Sequence, residues 1–130
     1  MSEQTGAVPL PALGSAAADV LDTNALARLQ ELDPSGSSGL VARVLNTYVQ
    51  SLQRQLVMLD TARRDGDAQG QRHVAHTLKS SSASVGALKL SALCADIEHK
   101  LREGLSEGLD GQLDELTVEA ARILAALRQP

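Results

Sequence analysis

The chain has 130 residues, 43% of them hydrophobic, with 12 basic and 16 acidic side chains giving a formal charge of −4. Domains run about 100–200 residues, so one core fits in this length, and a catalytic domain beside a separate nucleotide-binding domain does not. No basic surplus exists to neutralise nucleic-acid phosphates and Tyr48 is the only aromatic, so no nucleic-acid partner is expected.

Leucine supplies 22 positions while aromatic residues are almost absent, a balance that favours helices over sheets. Cys94 is the single cysteine, which rules out an intrachain disulfide and points to a reducing compartment. The start Met-Ser-Glu-Gln lacks the basic residues of a secretory signal. The early uncharged stretch from Gln4 to Ala18 is interrupted by Pro9, Pro11 and Gly14, too broken to span a bilayer. A free-standing cytoplasmic protein with no membrane association is the expectation.

Residues 1–19 are rich in Ala, Gly, Pro and Ser without a sustained period and read as a flexible lead; a helical domain is expected over 20–130. Asp22 is a good N-cap for a short helix whose apolar positions are Leu26, Leu29 and Leu32. Asp33-Pro34-Ser35-Gly36 ends it with turn chemistry. From Ser38 to Arg64 the apolar residues Val41, Leu45, Tyr48, Leu52, Leu56, Leu59 and Ala62 recur at helical steps and form one stripe. Arg63 and Arg64 suit the carboxyl end of that helix, and Gly66 stops it.

Asp67 can cap a third helix that runs to Val85 and closes at Gly86, with Gly70 a weak spot in its first turn. A fourth helix covers Ala87 to Glu103, with Leu90, Leu93, Cys94, Ile97 and Leu101 on one face. A fifth follows Asp110, striped by Leu113, Leu116, Ala120, Ile123, Leu124 and Leu127. Short connections between long amphipathic helices predict an all-α fold: an antiparallel, up-and-down four-helix bundle with a short additional N-terminal helix.

The third helix carries the chemistry. At about 100° per residue, Val74, Leu78, Ser81 and Val85 lie opposite His76, whereas Arg72, His73, Lys79 and Ser80 lie within about 60° of it. If the apolar stripe packs, His76 points to solvent. A neutral imidazole offers one ring nitrogen as nucleophile while the other keeps its proton. Lys79, one turn on, can stabilise charge on phosphoryl oxygens, and the short Ser80 leaves access for a partner. A solvated helix face is the plain alternative.

The stretch His76-Thr77-Leu78-Lys79-Ser80-Ser81-Ser82-Ala83-Ser84-Val85-Gly86-Ala87 resembles the signature of histidine phosphotransfer (HPt) domains of bacterial multistep phosphorelays. That pattern has a phospho-accepting His, a Lys three residues on, a small residue next, and Gly-Ala after the helix; Ser80 stands where Gly is common. The downstream Leu90-Ser91-Ala92-Leu93-Cys94 and Leu101-Arg102-Glu103-Gly104 resemble the family's next helix. The resemblance implies a carrier, without an ATP-binding kinase domain, that exchanges a phosphoryl group between His76 and the aspartate of a response-regulator receiver domain. Such a carrier is fed by a receiver, with a hybrid sensor histidine kinase as a further partner. It implies no cofactor on this chain, the Mg²⁺ being bound by the receiver. Lys79 is then the charge-stabilising residue, and Arg72, His73, Ser80 and Gly86 border the docking surface.

Other readings are weaker. His73 and His76 have a spacing that can share a metal, but further ligands are distant, so no metal site is expected. The dimerisation helix of sensor kinases also presents a histidine, but Thr77 replaces its usual acidic neighbour and no nucleotide-binding domain follows. A non-catalytic helical scaffold remains as the alternative class. Ser81 and Ser82 lie towards the packed side, where small size explains them. Arg72, Lys79 and Lys89 supply positive potential that could complement an acidic receiver pocket. No apolar stripe is left over for self-association, so a monomer is expected.

Overall fold

Helix boundaries follow cap chemistry in the computed structural model of the chain, which describes Ala17 and residues 20–127. The helices are α1 (Thr23–Glu31), α2 (Leu40–Arg64), α3 (Ala68–Val85), α4 (Leu88–Glu103) and α5 (Leu109–Leu127), and no strand occurs among the described residues. The Asp22 carboxylate accepts from the Ala25 N–H at 3.1 Å to open α1, and that of Asp67 accepts from Gly70 at 2.9 Å to open α3. The second helix starts two residues later than Ser38, because Gly39 adopts φ 68° and the Asp33 side chain accepts from the Leu40 N–H.

Cross-helix bonds fix an antiparallel up-and-down order. Near the α2–α3 turn, Gln71 Nε2 donates to the Ala62 carbonyl at 3.4 Å, and at the far end Tyr48 pairs with Ser82. Ser91 Oγ donates to the Lys79 carbonyl at 2.8 Å between α3 and α4. Gln112 reaches Asp96 between α4 and α5, and Arg63 closes the ring onto Asp110 and Asp114 at the start of α5. The result is a four-helix bundle, α2 to α5, with α1 laid against α2 and α3. Among the described residues no helix is long and apolar enough to cross a membrane.

Leu52, Leu59, Val74, Leu78, Leu90, Ile97, Leu113, Leu116 and Ile123 fill the centre, all nearly inaccessible to solvent. Tyr48 is buried among them, and its hydroxyl lies 2.8 Å from Ser82 Oγ; burial raises its ionisation to about 12. Ser82 is therefore a polar partner in the core rather than merely a small residue. Tyr48→Phe is expected to destabilise the bundle by about 1 kcal/mol, read by urea unfolding, the usual net effect of one lost hydrogen bond.

Two expectations change. Leu32 is the C-cap of α1 and 72% exposed, since the helix ends before its stripe turns inward again. Leu93 is only half-buried, and Glu98 takes a place on the core face of α4. Ala17, within the expected lead, is helical and buried, and its carbonyl accepts from the Leu21 N–H at 2.8 Å. The rest of the expected lead, and residues 128–130, lie outside the described residues.

The weak spot at Gly70 also has an explanation. A Cβ there would come 2.5 Å from Asp67 Oδ2 and 3.1 Å from Ala62 Cβ, so the glycine lets the capping carboxylate and the end of α2 close on the first turn of α3.

Candidate functional site

The third helix turns Val74, Ala75, Leu78, Ser82 and Val85 into the core, and this burial sets His76 on the outer side of the bundle. Its side chain is 65% exposed. Beneath it lies Glu98 of α4, whose side chain is only 7% exposed. One carboxylate oxygen sits 2.8 Å from His76 Nδ1, and the other lies 2.5 Å from Lys79 Nζ. Arg102, one turn further along α4, approaches the first of these oxygens at 3.9 Å. The Ser91–Lys79 bond between the same two helices holds the register that brings these groups together.

A buried carboxylate persists as an anion when its oxygens are satisfied by cations and donors. The hydrogen bond from Lys79 first, and that from His76 after it, hold the Glu98 carboxyl below its ordinary value of 4.5, against the opposing effect of burial. Because the folded-state value is depressed, this stabilisation is present above the unfolded carboxyl's range and is lost as pH falls through the folded one. Acid unfolding below about pH 4.5 should therefore show a smaller stability loss in Glu98→Gln than in wild type, measured as urea midpoints across pH.

The ion pair also fixes the imidazole. An ionised carboxylate only accepts, so Nδ1 of the neutral ring is the donor and Nε2 carries the free lone pair.

A groove of about 810 Å³ opens beside His76, between the end of α2 and the first turns of α3. Val57 and Met58 of α2 line it, together with Arg72, His73, His76 and Glu98, and Asp65 and Asp67 stand at its acidic end. Val57 is 67% exposed and Met58 is 42% exposed, so an apolar patch does lie on the outside, next to the histidine. These two residues flank the stripe of α2 without belonging to it.

Of the residues singled out in sequence, His76, Lys79, Arg72 and His73 are brought together, the last two lining the groove. Ser80 is exposed on the outer side of α3, does not line the groove, and its carbonyl accepts from Ser84 Oγ. Gly86, expected at the docking surface, is buried instead: it closes α3 at φ 86°, and its carbonyl accepts from the Asp22 N–H of the α1 cap at 2.7 Å. Lys89 stands apart, 3.8 Å from Glu119 of α5. Glu98 was missed, although a carboxylate four residues after Cys94 and eight after Leu90 falls on the apolar stripe, and such a residue calls for a cationic partner. Among the described residues, no group of three or more His, Cys, Asp or Glu side chains could hold a metal ion.

This is a helical bundle that carries one exposed imidazole, tied through Nδ1 to a buried carboxylate, beside an open groove. The family model of the Hpt domain matches residues 43–129, and the chain belongs to that family, the histidine phosphotransfer domains of phosphorelays. Its fold is similar to that of the histidine-containing phosphotransfer protein B (HptB) from Pseudomonas aeruginosa PAO1, at 29% sequence identity and a TM-score of 0.74 over 84% of this chain and 91% of that one. No curated protein sequence matches the chain.

Proposed function

We propose that His76 is the phosphoryl acceptor, taking the group from the aspartyl phosphate of one receiver domain and passing it to the aspartate of another. The observation that carries this reading is the hydrogen bond from Nδ1 to buried Glu98, which leaves Nε2 free and outward. Nε2 attacks phosphorus in line, the bond from phosphorus to the aspartate oxygen breaks, and the carboxylate departs with its electron pair. Lys79 has three N–H donors, of which Glu98 engages one; the others can meet phosphoryl oxygens as charge moves between nitrogen and oxygen. The receiver brings the Mg²⁺ and the acidic pocket, and this chain brings the nucleophile.

Val57, Met58, Arg72 and His73 form the surface on which the receiver settles: apolar contact from α2, positive charge and polar rim from α3. A transient partner suits an apolar patch of this modest extent, so the same reading makes the carrier a cytoplasmic monomer, supplied by a receiver of a hybrid sensor kinase. Sedimentation at micromolar concentration checks the monomer; a stable dimer overturns it.

The test of function is transfer from a receiver phosphorylated at its aspartate. The chain is expected to take up the label in a linkage that is labile in acid and stable in alkali, as a phosphoramidate is. An unlabelled chain, across a panel of receivers, would support the alternative of a non-catalytic scaffold.

A further inference from the structure

We propose that Glu98 keeps the Nδ1 proton on His76 while the phosphoryl group is attached, and so holds the phosphohistidine in its transfer-ready form. The inference rests on His76 being the acceptor. Its basis is the position of one charged carboxylate, buried on the core face of α4 and within hydrogen-bond distance of both His76 Nδ1 and Lys79 Nζ. Orientation alone could be supplied by a neutral amide, which also accepts from Nδ1–H. A buried negative charge does something an amide cannot: it favours a ring that has become positive.

Phosphorylation makes the ring positive. When Nε2 forms its bond to phosphorus and Nδ1 retains its proton, the imidazole becomes an imidazolium. In the forward step, the receiver aspartate's oxygen bonds to phosphorus and the P–Nε2 bond breaks. Its electron pair returns to Nε2, and a neutral imidazole leaves with Nδ1–H intact. If the ring has lost that proton beforehand, the departing group is an imidazolate, a far poorer leaving group. Glu98 thus acts as a positioning residue through His76, without touching the phosphoryl group.

The other charged groups around this pair do not duplicate that role. On α3, Lys79 and Arg72 are cationic and disfavour a positive ring, and His73 stands beside them; Arg102 on α4 is also cationic. Asp65 after α2 and Asp67 before α3 line the groove, but neither is paired with His76. The ion pairs of α5 with the other helices reach Arg63 and Lys89 instead.

The experiment compares wild type with Glu98→Gln, each first phosphorylated by a receiver and then mixed with one unphosphorylated receiver over a range of pH. Using one receiver for both proteins cancels its own titration in the ratio of rates. The variant's rate relative to wild type is expected to fall by about tenfold between about pH 6 and pH 8.5, the order of change an opposite charge at this distance makes in a proton equilibrium. Glu98→Asp, which keeps the charge, should restore the wild-type pH profile even where it lowers the rate. A Glu98→Gln ratio that stays level with pH, with His76 labelled in both proteins, overturns the inference and leaves the carrier reading intact. Absence of label on His76 in wild type overturns the carrier reading itself. Should the glutamine variant not fold, ring-nitrogen NMR of the wild-type phosphoprotein decides: a protonated Nδ1 at about pH 8 supports the inference, and a bare Nδ1 overturns it.

Discussion

His76→Gln is expected to abolish labelling by a phosphorylated receiver and to leave helical circular dichroism at the wild-type level. The side chain is 65% exposed, so its removal opens no cavity. The glutamine amide can still donate to Glu98, which keeps that buried carboxylate partnered. His73→Gln should retain the label, because His73 lies on the groove wall and Glu98 lies against His76. Lys79→Ala should slow transfer by about tenfold without removing the acceptor. That is below the ~100-fold or more typical of an enclosed donor, because a 39% exposed ammonium works partly against water. Rapid-quench measurement of labelled chain against time distinguishes the three. Label persisting in His76→Gln would refute the assignment.

Gly86→Ala is expected to be the most destabilising of the small substitutions, at about 2–5 kcal/mol, combining left-handed backbone strain with overpacking. The φ of 86° is one that L side chains rarely adopt. The new Cβ would also meet Ala25 Cβ at 2.7 Å and the Asp22 backbone nitrogen at 3.0 Å. Relief requires α1 to move off, and with it the 2.7 Å bond from Asp22 N–H to the Gly86 carbonyl. Urea unfolding followed by circular dichroism gives the magnitude, and hydrogen exchange should show α1 losing protection before the bundle does. Stability within about 0.5 kcal/mol of wild type would mean that α1 and the α3–α4 turn adjust more freely than the contacts imply.

The bundle was legible because its signals are local and repeated. The stripes of α2 and α5 recur over many turns, and Asp22, Asp67, Gly86 and Gly104 mark helix ends by chemistry that needs no tertiary contact. His76 and Lys79 were legible for the complementary reason, as polar residues opposite an apolar stripe. Glu98 was not, since its meaning depends on which helix lies across from it; only the α3–α4 register turns a carboxylate in an apolar stripe into a partner for two cations or donors. The Tyr48–Ser82 bond, between residues 34 apart, is of the same kind. Gly86 shows the reverse case: the motif marks the position, but only the fold shows that α1 lies over it.

The contact between α1 and the Gly86 turn has a consequence for how the molecule can be altered. Gly86 lies ten positions after His76, about 15 Å along α3 at ~1.5 Å per residue. The site where α1 is fastened and the imidazole of His76 thus share one rod but different stretches of it. Changes at the fastening raise or lower the resistance of the fold to unfolding, and on the proposed function changes at the imidazole alter the chemistry. The two properties can be tuned separately, so selection for a tougher scaffold need not trade against speed of transfer.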